Sequence, residues 1–294
     1  MAPLEVDVLI TGPSGTGKSA LAKAIANNSP RARGLFVALN CAAIPEALIE
    51  SELFGAERGA HSTATRKVVG KVAAAEGGTL FLDEIGELSP PAQAKLLQLL
   101  QAREYHPLGS PTTVHADIRV ISATNANLRA AVSKGKFRED LYYRVHVLPL
   151  EMPGLAERRD DIPELVEHFC ATTCRRHGFR ALSVSRRVAA ACREAAWPGH
   201  VRQLEHAIEA GVIRAHGDKS DVLEAHHVFP DAEPRDDRPL TFHESTRRHQ
   251  KRLVREALER HDWNVAEAAR ELDLARSYVY NLINEFELER SSSN

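Results

Sequence analysis

Residues 12–19 read Gly12-Pro13-Ser14-Gly15-Thr16-Gly17-Lys18-Ser19, which satisfies GxxxxGK[ST]. The motif stands between the apolar run Val6-Asp7-Val8-Leu9-Ile10 and a helical pattern from Lys18 to Asn27, the strand–loop–helix setting it requires. Glycines let backbone N–H groups curl around phosphate oxygens, and the helix start adds partial positive charge. Lys18 has the reach for the β and γ phosphates of ATP, and the Ser19 hydroxyl suits Mg²⁺. The stretch predicts an α/β fold built around a phosphate site.

Four further short apolar runs extend that prediction. Leu35 to Leu39, Thr79 to Leu82, Ile118 to Ala123 and Val145 to Leu148 read as strands, with helices such as Pro91 to Ala102 between them. Five strands in βα units imply a mostly parallel sheet covered on both faces. One run ends in acids, Gly77-Gly78-Thr79-Leu80-Phe81-Leu82-Asp83-Glu84. Asp83 is placed to hold Mg²⁺ and Glu84 to polarise an attacking water.

After Met152-Pro153-Gly154 the pattern is purely helical, with Ile162 to His177, Ser185 to Ala196 and a segment from Trp197. The proline- and charge-rich stretch from Asp231 to Pro239 reads as a linker. Past it, Thr241 to Arg260, Asn264 to Glu271 and Ala275 to Glu287 read as three helices. The organisation is therefore an α/β subdomain over 1–152, a helical subdomain over 153–230, a linker over 231–240 and a small helical domain over 241–290.

Bulk properties narrow the function classes. A length of 294 residues, 43% of them apolar and 27% charged, suits a soluble protein of two or three domains. The net charge of −2 excludes a global nucleic-acid-binding surface and leaves only a local one. No apolar run reaches the ~18 residues of a membrane span and no signal peptide is visible, so the expected location is cytoplasmic, with no membrane partner. Cys41, Cys170, Cys174 and Cys192 form no paired CxxC set; small buried side chains, not zinc ligands, are expected.

Several stretches together carry a resemblance. They are Asn40-Cys41-Ala42-Ala43-Ile44-Pro45, Glu52-Leu53-Phe54-Gly55, the GGTLFLDEIGEL run from Gly77, Ala123-Thr124-Asn125, Phe137 to Arg144, Arg158 to Pro163, and Trp197 to Glu205. In order and spacing they resemble the AAA+ domain of sigma-54-dependent transcriptional activators, the bacterial enhancer-binding proteins. The likeness covers nearly the whole chain. It implies an AAA+ P-loop NTPase with a five-stranded parallel sheet, an all-helical lid and a C-terminal helix-turn-helix domain, using ATP and Mg²⁺.

The resemblance also implies roles. Asn40 would hold Glu84 by a side-chain hydrogen bond, and Asn125 would sense the γ-phosphate. Arg138 and Arg144 would be fingers reaching a neighbouring subunit's site, worth on the order of 10³–10⁵ in rate. Arg202 would contact nucleotide from the lid. Fingers acting in trans imply a ring, by family analogy a homo-hexamer.

Family members carry GAFTGA where this chain has Gly59-Ala60-His61-Ser62-Thr63-Ala64, an exposed loop that grips sigma-54. His61 replaces an aromatic tip, and Thr63 replaces a glycine free to adopt φ > 0. Two readings follow: an ATP-driven activator that remodels sigma-54 RNA polymerase, or a DNA-binding AAA+ regulator that no longer engages sigma-54. Two further departures are Ser19, where the family usually has Glu, and a start close to the first strand, with no N-terminal sensor domain in this sequence; the close start implies either thinner adenine contacts or a natural protein longer than this sequence.

Residues 264–286 resemble the Fis-type helix-turn-helix, whose second helix enters the major groove. Arg276, Ser277, Tyr278 and Asn281 would lie nearest the bases, and Arg247, Arg248, Lys251 and Arg252 form a basic stretch. A small helical dimerisation bundle is the competing reading of this segment.

Overall fold

A computed structural model describes residues 4–59, 67–230, 242–286 and 288. The chain divides into two compact units, residues 1–230 and 231–294. The first opens with β1 (Val8–Thr11), α1 (Lys18–Asn27), β2 (Phe36–Asn40), α2 (Glu46–Phe54), α3 (Lys71–Ala74) and β3 (Thr79–Asp83). It continues through α4 (Pro90–Ala102), β4 (Glu104–Tyr105), β5 (Val114–His115), β6 (Arg119–Thr124), α5 (Leu128–Ser133), α6 (Glu139–Val145) and β7 (Pro149–Glu151).

Five strands form one parallel sheet in the order β2-β3-β6-β1-β7. Alternation within the strands divides the core in two. Val8, Ile10, Phe81, Ile121 and Ala123 pack with Ala22 and Ile25 of α1. Leu9, Leu80, Leu82 and Val120 face the other way, onto Leu96, Leu99 and Leu100 of α4. All six residues of β6 are buried, because a central parallel strand is covered on both faces. The short antiparallel pair β4–β5 was not foreseen; two-residue strands leave no periodicity to read.

The fifth strand is displaced from its expected place. Val145 ends α6 and the strand begins at Pro149. Val145 is buried, but from a helix, while Val147 is 50% exposed. An apolar pair two residues apart looks the same in either setting.

The helical part of this unit comprises α7 (Ile162–His177), β8 (Ser183–Val184), α8 (Arg186–Glu194), α9 (His200–Gly217), β9 (Val222–Leu223) and α10 (Ala225–Val228). Its core gathers Leu155, Ile162, Val166, Val188, Leu204, Ile208 and Val212. The expectation of pure helix is corrected by the two-residue parallel pair β8–β9, which joins Ser183 to Val222 and Val184 to Leu223.

The second unit holds α11 (Phe242–Arg260), α12 (Val265–Glu271) and α13 (Arg276–Glu285). Val254, Ala257, Leu258, Ala268, Ala269, Val279, Leu282 and Phe286 make a core of its own. Asn264 caps α12 by accepting from the Ala266 amide, which satisfies one of the donors a helix start leaves open. The expected linker, 231–240, lies outside the described residues.

Candidate functional site

The C-terminal ends of β1, β3 and β6 meet at one edge of the sheet, where an open α/β fold builds its site. Thr11 pairs with Thr124, and Asn40 with Asp83, so loops leaving neighbouring strands start side by side. From the first loop Lys18 is 94% buried (6% exposed). Its Nζ donates to the Gly12 and Pro13 carbonyls at 3.0 and 3.2 Å and lies 3.8 Å from Glu84 Oε1. Ser19 Oγ donates to Asp83 Oδ2 at 3.3 Å. Glu84 Oε2 accepts from the Asn125 amide at 2.9 Å. Residues far apart in sequence thus form one constellation of a cation, two carboxylates and a hydroxyl.

Glu84 adopts φ 53° and ψ 53°, left-handed backbone that costs a residue with a Cβ about 1–2 kcal/mol. The turn aims its carboxylate at the end of β6 instead of letting it follow the strand. Such strain collects where geometry serves chemistry. Below it, burial pushes the Cys41 thiol up to about 12, with the Asp83 and Glu84 carboxylates adding to the shift.

The phosphate loop is held from the helical part of the unit. Gly15, at φ 79°, is approached so closely that an added Cβ would stand 2.5 Å from the Gly199 carbonyl oxygen. The Arg202 amide donates to the Gly15 carbonyl at 3.2 Å, and Arg202 Nη1 donates to Ser14 Oγ at 3.4 Å. Arg158 Nη2 donates to the Thr16 carbonyl at 2.5 Å. In a trans peptide the C=O and the following N–H point in opposite directions. Holding the Gly15 and Thr16 carbonyls toward the lid therefore turns the Thr16 and Gly17 amides away from it, which is how a loop presents donors to an anion. Arg158 belongs to an Arg158-Arg159-Asp160-Asp161 run to which sequence reasoning assigned no role.

Other expected residues lie differently. The Asn40–Glu84 hydrogen bond is not formed among the described residues: Asn40 Oδ1 accepts from the Ala42 amide at 3.0 Å, capping the turn after β2. Arg138 is exposed and pairs in its own chain with Asp140, at 3.0 and 2.7 Å. Arg144 donates through Nε and Nη2 to the Leu100 carbonyl, at 3.1 and 2.5 Å, closing the C-terminal turn of α4. Of the expected contact loop, Ala60, His61, Ser62, Thr63 and Ala64 lie outside the described residues, while Gly59 stands at φ 82°.

The donor set fits a hard divalent cation. Ser19 Oγ and Asp83 Oδ2 are oxygen ligands already neighbours at 3.3 Å, the ligand type Mg²⁺ selects. Elsewhere, among the described residues, Asp218, His226 and His227 bring three ligand atoms within 4.8 Å of one another. That trio does not suit a metal. His227 Nδ1 accepts from the Glu224 amide at 2.9 Å, so the neutral ring carries its proton on Nε2, the atom facing Asp218 Oδ2 at 3.4 Å. A metal-bound imidazole has the opposite arrangement.

In the second unit Arg276, Ser277, Tyr278 and Asn281 are all exposed on α13, while Val279 and Leu282 are buried. Arg247 of α11 pairs with Glu285 at 3.6 Å and lies over the Phe286 ring at 5.9 Å.

Comparison with known proteins agrees with this geometry. Residues 1–151 match the sigma-54 interaction domain, 156–245 the AAA+ ATPase lid domain and 246–286 the bacterial regulatory protein, Fis family. The transcriptional regulatory protein GlrR of Escherichia coli (strain K12) is 43% identical over 289 residues, 98% of this chain and 64% of the relative. The C4-dicarboxylate transport transcriptional regulatory protein DctD of Rhizobium meliloti (strain 1021) is 40% identical over 291 residues, 99% of this chain and 61% of its own. The chain thus spans under two thirds of the length of these curated relatives. Among solved structures, NtrX from Brucella abortus in complex with ADP superposes with a TM-score of 0.71 at 32% identity, over 98% of this chain and 66% of that one. With a P-loop sheet, a lid clasping it and a separate three-helix unit, each matched in order, this chain belongs to the family defined by the sigma-54 interaction domain, the AAA+ transcriptional regulators with a Fis-type C-terminus.

Proposed function

We propose that the protein hydrolyses ATP to drive transcriptional activation, binding DNA through α11–α13 and remodelling sigma-54 RNA polymerase through its α/β subdomain. The observation that carries this reading is the convergence of Lys18, Ser19, Asp83 and Glu84 at the sheet edge. The working division is 1–152 for hydrolysis, 153–230 for the lid, 231–240 as linker and 241–290 for DNA.

The triphosphate of ATP enters the loop Gly12, Pro13, Ser14, Gly15, Thr16, Gly17. Lys18 exchanges its bonds to the Gly12 and Pro13 carbonyls for phosphate oxygens, and the loop amides turned away from the lid donate to the same charge. Ser19 and Asp83 would hold Mg²⁺, whose charge would help neutralise the phosphates. Glu84 orients and deprotonates water, steered by the Asn125 amide; Asn125, directly after the last residue of β6, would report the γ-phosphate. Asn40, one strand over and in register with Asp83, can exchange its bond to the Ala42 amide for one to Glu84. Arg202 follows the nucleotide from the lid. Arg138 and Arg144 complete a neighbour's site in a homo-hexamer, each first releasing its own partner, Asp140 or the Leu100 carbonyl.

A second reading keeps DNA and ATP but not sigma-54, and the replacement of GAFTGA by the sequence GAHSTA favours it. Lys18→Ala should abolish hydrolysis; full activity in that variant would remove the phosphate site from the account. A native gel of the chain with sigma-54, with and without ADP and aluminium fluoride, separates the two readings. A trapped complex supports the activator, and no complex from a sample that hydrolyses ATP supports the regulator without sigma-54.

A further inference from the structure

The face of α13 that looks away from its own core has an unusual chemistry for a DNA-reading helix. Val279 and Leu282 turn inward with Phe286. A helix advances 100° per residue, so the outward face is centred on Ser277 and Asn284, with Tyr280 and Asn281 beside them. All four are exposed, Tyr280 at 52%, and among the described residues none of their side chains has a hydrogen-bond partner. Tyr278 lies on the flank, about 100° from Ser277. Arg276 sits at the edge of this face, at the helix start. The centre of the face therefore carries no cation.

That matters because bases differ in what they offer. In the major groove guanine presents two acceptors, which suit Arg or Lys; adenine presents an acceptor and a donor, which suit the carboxamide of Asn; thymine adds a methyl group. Asn281 and Asn284 are three residues apart, about 4.5 Å along the axis, close to the ~3.4 Å step between stacked bases. The second unit cannot rely on bulk charge either: residues 242–286 contain eight Lys and Arg against eight Asp and Glu. Selectivity must then come from base edges more than from phosphates.

Resting on the reading that α11–α13 bind DNA, we infer that α13 reads a half-site with A·T pairs at its centre, Asn281 and Asn284 each taking an adenine edge and the Tyr280 ring packing on a thymine methyl. Ser277 accepts or donates to either base, and Arg276 serves the flanking backbone.

The test is selection from randomised duplexes by the full chain at low salt, followed by binding to the enriched sequence and single-pair variants of it. The expected result is an enriched half-site with neighbouring central A·T pairs, each losing about tenfold in affinity on exchange for G·C. Asn281→Ala and Asn284→Ala should each flatten the preference at one of those positions and leave the salt dependence unchanged. Asn281→Arg should move the preference at its position to guanine. An enriched centre of G·C pairs, or a preference unmoved by either Ala variant, overturns the inference while DNA binding stands. Failure to retain any duplex overturns the DNA-binding reading itself, and this inference with it.

Discussion

Arg158→Ala tests how the phosphate loop is shaped. The wild-type guanidinium holds the Thr16 carbonyl at 2.5 Å, and its Nε is buried with no partner, so the side chain is in place for that one bond. A hydrogen bond from a charged donor contributes about 1.5–3 kcal/mol. The orphaned Nε offsets part of this, because removing the side chain also removes an unsatisfied polar atom. A net loss of about 1–2 kcal/mol remains, and it falls on the orientation of the Gly17 amide. At 1.4 kcal/mol per decade this is roughly a fivefold to thirtyfold loss of nucleotide affinity. Calorimetric titration with ADP and with a non-hydrolysable ATP analogue measures it, and both nucleotides should weaken alike because both carry phosphates into the loop. Arg158→Lys, which keeps a charge but not the fork, should fall between. If Arg158→Ala leaves affinity within twofold while the lid stays folded, the loop is shaped by its own glycines and the argument from the lid is wrong.

Glu84→Gln should lower kcat by about 10²–10⁴ and leave ATP binding nearly intact, read by comparing steady-state hydrolysis with ATP titration. All four cysteines are buried, and burial pushes Cys41, Cys170 and Cys192 up to about 12. A thiol reagent at pH 8 should find no reactive group until denaturant is added; a fast native thiol would contradict the packing. The same raised values predict stability that is full below an ordinary thiol's 9.0 and declines as pH climbs toward 12. His227 has the opposite sign. Burial first, then the charge of His226, hold its imidazole below the ordinary 6.5 against the pull of Asp218 and Glu224. Its contribution is present above 6.5 and is lost as pH falls, so thermal unfolding should drop in acid and His227→Gln should flatten that slope.

What could be read from the chain alone was what short stretches encode. The phosphate loop and the acids after β3 are local patterns, and α1 and α7 begin and end where their periodicity placed them. The strand set at Val145 was misplaced because Val145 and Val147 keep an alternating spacing that a helix end also satisfies. Arg158 went unassigned because its partner, Thr16, lies 142 residues away and nothing in its neighbours signals that meeting. The bond of Arg144 to the Leu100 carbonyl, 44 residues away, was hidden for the same reason, whereas that of Asn40 to the Ala42 amide is a local cap two residues on that competes with the role its motif implies.

Met152 closes the edge of the sheet, donating its amide to the Thr11 carbonyl at 2.7 Å, and its own carbonyl oxygen would stand 2.5 Å from a Cβ added to Gly12, itself at φ 142°. The root of the lid therefore grows directly against the first residue of the phosphate loop. Mechanically this is a joint without a lever arm, in which a small displacement on one side has no intervening chain to absorb it. For the history of such a sequence, positions 12 and 152 are a single locus: any side chain acquired at the first must be answered by a shift at the second.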